Sequence, residues 1–147
     1  APTHLFMGQK DFQQQLILRH MIDDLNMPVE LVRCPTIREA DGLAMSSRNR
    51  YLTPEERRRA VAISQALFQA QEEWRASAGR VAAEKLNDGM RRRIAAAGLE
   101  VEYAEAYHAR TLVRWAEVGG EITGPCVLLV AAKLGTTRLI DNLVLVE

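Results

Sequence analysis

The stretch Met45-Ser46-Ser47-Arg48-Asn49-Arg50 sets two adjacent hydroxyls and two guanidiniums a few residues behind Gly42. Hydroxyl and backbone N–H groups donate hydrogen bonds to phosphate oxygens, and a guanidinium fork neutralises phosphate charge through paired bonds. A polar surface loop can carry the same string. A second segment upstream, Gly8-Gln9-Lys10-Asp11-Phe12-Gln13-Gln14, offers matching chemistry. Lys10 is a mobile cation, and Asp11 can cap a helix or accept a ribose hydroxyl. Gln14 lies one helical turn on, so residues 10, 11 and 14 can face one ligand. The first turn of a helix has free N–H donors and a partial positive charge, which stabilise an anion. Taken alone, this segment also reads as a helix N-cap followed by solvated glutamines.

The elements around these residues decide whether they can meet. Residues 4–7 are a short apolar run ending at Gly8. Leu18, Met21, Ile22 and Leu25 then recur at helical spacing, and Asn26 and Pro28 close that helix. Residues 29–34 alternate as a strand, stopped by Pro35. A strand–helix–strand unit of this size predicts a parallel pair with a right-handed crossover. Ligands bind such sheets at the carboxyl ends of the strands. Gly8, Lys10 and Asp11 lie at one such end, and residues 35–37 at the other.

After Leu52 the character changes. Thr53-Pro54-Glu55-Glu56 predicts a helix start with Thr53 as N-cap and Glu56 as its capping-box partner. Ala60, Ile63, Leu67 and Ala70 form the apolar stripe, and residues 77–79 break the helix. A second helix turns Ala83, Leu86, Met90 and Ile94 inward and Arg91, Arg92 and Arg93 outward, with Gly98 at its end. From Leu99 the period is two, as in strands. Residues 126–134 are continuously apolar, which predicts a central strand buried on both faces; 135–137 read as a turn and 138–146 as a further strand. Asp141 and Asn142 read as a structural turn or bulge. The fold class expected is α/β plus α+β: a β-α-β unit followed by a small α+β lobe with two helices and about three antiparallel strands.

Composition narrows the function. The chain has 147 residues, 48% of them hydrophobic and 26% charged, which suits a globular core. Lysine plus arginine equals aspartate plus glutamate at 19 each, so the basic surplus typical of nucleic-acid binding is missing. No apolar run approaches the roughly 20 residues of a membrane span. Cys34 and Cys126 read as buried free thiols, the usage of a cytoplasmic protein, and His4, His20 and His108 are too scattered for a zinc site. Ala1 is followed by neither a charged leader nor an initiator Met, so a piece of a longer chain is expected.

Taken in order, residues 8–14, residues 38–52 (Arg38-Glu39-Ala40-Asp41-Gly42-Leu43-Ala44-Met45-Ser46-Ser47-Arg48-Asn49-Arg50-Tyr51-Leu52) and residues 129–142 strongly resemble the pantoate–β-alanine ligase family. The resemblance covers essentially the whole chain. It implies a Rossmann-like nucleotidyl transferase, with Met45-Ser46-Ser47-Arg48 matching the mobile Lys-Met-Ser-Lys-Ser loop of related synthetases. The implied organisation is residues 1–36 as the end of the nucleotide-binding domain, 37–52 as a phosphate-binding loop and hinge, and 53–147 as a carboxy-terminal α+β domain. The implied activity is ATP-dependent condensation of pantoate with β-alanine through a pantoyl adenylate. ATP would enter with Mg2+ as substrate, with no tightly bound cofactor and no metal held by the protein.

By the same resemblance, Gly8, Gln9, Lys10, Asp11, Ile37, Met45, Ser46, Ser47 and Arg48 contact ATP. Lys10, Ser46, Ser47 and Arg48 serve the chemistry on the phosphates, and Gln14 holds pantoate. A cytoplasmic homodimer without nucleic-acid or membrane partners is implied for the complete enzyme. The family's amino-terminal His-x-Gly-His signature has no counterpart around His4, His20 or His108. The chain is therefore expected to match the carboxy-terminal half, carry half the ATP site and be inactive alone. A non-catalytic folding or dimerisation module and a nucleic-acid-binding synthetase relative are the competing classes.

Overall fold

A computed structural model describes residues 2–147. Strand β1 (His4–Gly8) pairs in parallel with β2 (Glu30–Cys34), from His4 opposite Glu30 to Gly8 opposite Cys34, and helix α1 (Phe12–Asp24) forms the crossover. This is the predicted β-α-β unit. Its helix buries a different face from the one expected. Phe12, Gln15, Leu16 and Ile22 are buried, whereas Met21 and Leu25 are 40% and 67% exposed. The two-stranded sheet is too narrow to cover the whole apolar stripe. The amino-terminal turns of α1 bury themselves against the second lobe instead.

That lobe begins at α2 (Pro54–Ala60) and continues through α3 (Ala62–Ala76) and α4 (Ala83–Ala96) to the strands β3 (Glu100–His108), β4 (Cys126–Leu134) and β5 (Thr137–Val146). The strands form an antiparallel sheet in the order β3-β4-β5. The helix begun at Thr53 has both bonds of its capping box: Glu56 N–H donates to the Thr53 hydroxyl, and Thr53 N–H donates to the Glu56 carboxylate. It is interrupted at Val61, whose carbonyl accepts the Ser64 hydroxyl at 3.0 Å, a bond that commonly accompanies helix bends.

The alternation along β4 explains its long apolar run. Cys126, Leu128, Val130, Ala132 and Leu134 join a core with Ile63, Leu67, Leu86, Met90 and Ile94 of α3 and α4. Val127, with Leu129 beside it, packs on the other face against Phe12 and Leu16 of α1. The sheet is thus covered on both faces, by α3 and α4 on one side and by the β-α-β unit on the other, so β4 is apolar from Cys126 to Ala132; its one charged residue, Lys133, lies near the strand end and pairs with Glu102. The same packing brings the start of α1 to the sheet.

Two local expectations are corrected. Arg91 and Arg93 do not lie free in an exposed last turn. Arg91 pairs with Glu105 at 2.6 Å and Arg93 with Glu73 at 3.0 Å, tying α4 to β3 and α3. Asp141 and Asn142 form neither a turn nor a bulge. They sit in regular register within β5, opposite Val130 and Leu129. Gly135-Thr136 makes the β4–β5 turn, where Gly135 has φ +56, a left-handed conformation that suits glycine.

Candidate functional site between the two lobes

Asn142 is the point at which the lobes are joined by polar contacts. Its side-chain amide donates to the carbonyls of Gln9 and Lys10, each at 2.9 Å, and its oxygen accepts from Gln9 Nε2 at 3.2 Å. The residue is 1% exposed, so these bonds are shielded from water. They fix the turn between β1 and α1, whose other anchor is Gln9 N–H on the Cys34 carbonyl at 2.8 Å. Asp11 occupies the N-cap position of α1 but makes no side-chain cap bond, so its exposed carboxylate is free to face a ligand.

Asp141, next along β5, holds the second segment. Arg38 grips its carboxylate with both terminal nitrogens, at 2.6 and 3.0 Å, and also donates to the carbonyls of Gly42 and Asn142. The Arg38 guanidinium lies over the Phe68 ring, 5.1 Å from its centroid. Loop 37–45 closes on itself through Met45 N–H on the Ile37 carbonyl and Glu39 N–H on the Leu43 carbonyl. Gly42 has φ +93, and a Cβ there would meet the Ser64 hydroxyl at 3.3 Å. Past this loop Ser46 caps a short 3-10 turn (Ser47–Tyr51) by accepting Arg48 N–H at 3.2 Å. Two neighbouring residues of one strand thus pin the turn that carries Lys10 and, through Arg38, the loop that leads into Met45-Ser46-Ser47-Arg48.

A cleft of about 420 Å³ opens between α1 and the β3-β4-β5 sheet, with Lys10, Asp11 and Gln14 on one wall and Tyr103, Tyr107 and Arg138 on the other. Lys10 also lines a small adjoining hollow together with Ser46, Asn49 and Asp141. Burial pushes the Lys10 ammonium below its ordinary pKa; Asp11 and Asp141 pull it back up, and the nearby Arg48 charge pushes it down again. Burial likewise raises the Asp141 carboxyl, against the downward pull of Arg38 and of Lys10. Arg48 is exposed and donates to the Arg138 carbonyl at 3.4 Å, which places it beside a residue of the cleft wall.

The structure therefore brings Lys10, Asp11, Gln14, Ser46 and Arg48 to one region. Gly8 ends β1 and supplies the turn, and the Gln9 amide is committed to Asn142. Ile37 and Met45 are 65% and 50% exposed, and neither lines the cleft. Ser47 is exposed at the start of the 3-10 turn. Sequence reasoning missed Arg38, Asp141 and Asn142 as the frame of the site, and Tyr103, Tyr107 and Arg138 as its far wall. The available signal was an Asp-Asn pair in the middle of an apolar strand, because buried polar groups need partners. Among the described residues no group of three or more His, Cys, Asp or Glu side chains is arranged to hold a metal ion. No helix there is long and apolar enough to cross a membrane.

Fold and cleft define a mixed α/β protein with a cleft of mixed charge between α1 and the antiparallel sheet, lined by Lys10 and Arg138 against Asp11 and Asp141. The chain belongs to the pantoate–β-alanine ligase family, whose model, described as "Pantoate-beta-alanine ligase", matches residues 1–144. Among its relatives, pantothenate synthetase 1 of Bradyrhizobium diazoefficiens is 50% identical over 144 residues, covering 98% of this chain and 49% of that protein. The pantothenate synthetase of Pelotomaculum thermopropionicum is 47% identical over 145 residues, with the same coverage of 98% and 49%. The crystal structure of pantothenate synthetase from Thermus thermophilus superposes with a TM-score of 0.86 at 34% identity, over 99% of this chain and 50% of that one. The Francisella tularensis pantoate-beta-alanine ligase, complexed with beta-gamma ATP and beta-alanine, superposes with a TM-score of 0.65 at 25% identity, over 97% of this chain and 43% of that one. The chain spans about half the length of the curated relatives it matches.

Proposed function

We propose that this chain supplies half of the ATP site of an enzyme that condenses pantoate with β-alanine. The observation that carries the reading is the position of Lys10, which borders the cleft of about 420 Å³ and also a water-sized hollow reaching Ser46, with the Arg48 charge close enough to join burial in lowering its pKa. In the proposed reaction a pantoate carboxylate oxygen attacks the α-phosphorus of ATP and pyrophosphate departs. The β-alanine amine then attacks the acyl carbon, AMP leaves with the bonding electrons, and the amine loses a proton to give pantothenate. Such chemistry asks the protein for alignment and for charge stabilisation rather than for a covalent intermediate.

The proposed roles combine the family resemblance with the placement of Lys10, Asp11, Gln14 and Ser46 around the cleft and its adjoining hollow. Lys10 and the start of α1 receive phosphate oxygens. Ser46, Ser47 and Arg48 approach the same charge from the loop side, and Asp11 takes the ribose. Gln14, in the cleft wall, holds pantoate. Gly8 and Gln9 shape the nucleotide turn, while Ile37 and Met45 offer apolar contact to the adenine side. Magnesium arrives with ATP as part of the substrate. The exposed Phe6 (66%) and Leu25 (67%) fit a unit that docks on further protein; a cytoplasmic, homodimeric enzyme is the assembly proposed from the family resemblance.

A chimera tests this reading. The 147 residues are joined to the half of the Pelotomaculum thermopropionicum protein that they do not span, and AMP release is followed with ATP, pantoate and β-alanine. The chimera is expected to turn over and the chain alone to be inactive. Turnover by the chain alone at the rate of a full-length relative would overturn the half-site assignment. A folded chimera that releases no AMP would overturn the ligase reading.

A further inference from the structure

On the side of α1 away from the ATP cleft lies a second cavity, of about 450 Å³, bounded by α1, the end of β2 and the segment after β3. Arg19, Arg33 and Arg110 line it, against the carboxylates of Asp23 and Glu147. Glu147 is taken by Arg33. Among the described residues Arg19 and Arg110 have no carboxylate within salt-bridge distance. His20 Nε2 donates to the Arg110 carbonyl at 3.1 Å, which ties the segment bearing Arg110 to α1. Burial, and after it the charge of Arg19, push the Arg33 guanidinium below its ordinary pKa.

Gln15 makes the cavity more than a basic patch. Its side chain lines the cavity and is only 2% exposed, yet its amide oxygen has no hydrogen-bond partner. A buried acceptor left unpaired costs free energy that any donor arriving there would recover. A ligand for this cavity must therefore bring acceptor oxygens for the guanidiniums and at least one O–H or N–H for Gln15. Hydrogenphosphate has both, whereas sulfate near neutral pH has acceptors only. Gln15 points to this cavity and Gln14 to the ATP cleft, so one helix separates two anion-compatible hollows.

We propose that the Gln15–Arg19–Arg33–Arg110 cavity is a binding site for inorganic phosphate in a form that retains an O–H. The inference does not depend on the proposed ligase reaction.

The test is a residue-resolved NMR titration of the chain with sodium phosphate, with sodium sulfate at equal ionic strength and with methyl phosphate. The Gln15 side-chain amide and the backbone amides of residues 108–111 are expected to shift saturably with phosphate. Phosphate should be preferred to sulfate about tenfold, the scale of one charge-assisted hydrogen bond. Signals of Ser46 and Arg48 report separately on phosphate entering the other cleft. Gln15→Leu, which replaces the orphaned amide by an apolar group of similar size, should erase the preference for phosphate over sulfate. Arg110→Ser, at an exposed position, should weaken both anions about tenfold. The proposal is overturned if phosphate gives no saturable shift, if phosphate and sulfate act alike on the unsubstituted chain, or if Arg110→Ser changes nothing. A response to methyl phosphate alone would also overturn it, by assigning the cavity to phosphomonoesters.

Discussion

Asp141→Ala should destabilise the chain by about 3–5 kcal/mol, the cost of removing one partner from a buried ion pair. The Asp141 side chain is 2% exposed and that of Arg38 is 18% exposed, so the guanidinium left behind cannot recover its bonds from water. The loss extends beyond the pair. Arg38 also holds the Gly42 carbonyl, and Asp141 accepts the Asn142 backbone N–H at 2.7 Å, so the loop and the β1–α1 turn loosen together. Urea unfolding measures the change in free energy, and hydrogen exchange at residues 9–11 and 38–45 locates it. A loss below about 1 kcal/mol, the range of an exposed ion pair, would show that the Arg38 fork is not the frame of the site.

Arg48→Ala is expected to lower the rate of adenylate formation in the chimera by about 2–4 kcal/mol, roughly thirty- to a thousandfold, the scale of losing one preorganised donor to a developing phosphate charge. Stability should change little. Arg48 is exposed, and the one protein hydrogen bond of its side chain, to the Arg138 carbonyl, is long at 3.4 Å. Pyrophosphate release at saturating ATP and pantoate reads the effect on the first half-reaction. Gln14→Ala should behave differently, raising the pantoate concentration needed for half-maximal rate. If both substitutions altered only the melting temperature, neither residue would have the role assigned to it.

Local signals carried most of the fold. The Thr53-Pro54-Glu55-Glu56 start is an exchange between residues three apart, and it formed as read. The apolar run of β4 announced burial on both faces, because strand side chains alternate and neither face of β4 carries a run of polar residues. The parallel β1–β2 pair followed from a short run, a helix-spaced stripe and a second short run. Partner choice at long range was not legible. Arg38 and Asp141 are 103 residues apart, and Asn142 lies 132 residues from Lys10, so no spacing rule could bring them together. The buried face of α1 was misjudged for the same reason. Its stripe has two apolar flanks, and the choice between them was made by Val127 and Leu129, far along the chain. Arg91 and Arg93 looked solvated because Glu105 and Glu73 come near only once α4 packs on β3 and α3.

The candidate site divides in the same way. Lys10, Asp11, Gln14, Ser46, Ser47 and Arg48 were marked by residue type and by resemblance. What stands behind them, the Asp141–Asn142 pair on β5, was visible only as a polar interruption whose partners could not be named. The groups proposed to face a ligand are those the sequence displays in clusters, whereas the groups that hold them in place are single residues contributed from a distant strand.

The most direct test of the account is a crystal structure of the chimera with a non-hydrolysable ATP analogue and magnesium. The account places the triphosphate between Lys10 and the Ser46-Ser47-Arg48 stretch, with phosphate oxygens within hydrogen-bond distance of the Lys10 ammonium and of at least one group of that stretch, and with Asn142 still bonded to the Lys10 carbonyl. A nucleotide bound elsewhere, or phosphates that touch neither Lys10 nor residues 46–48, would contradict it.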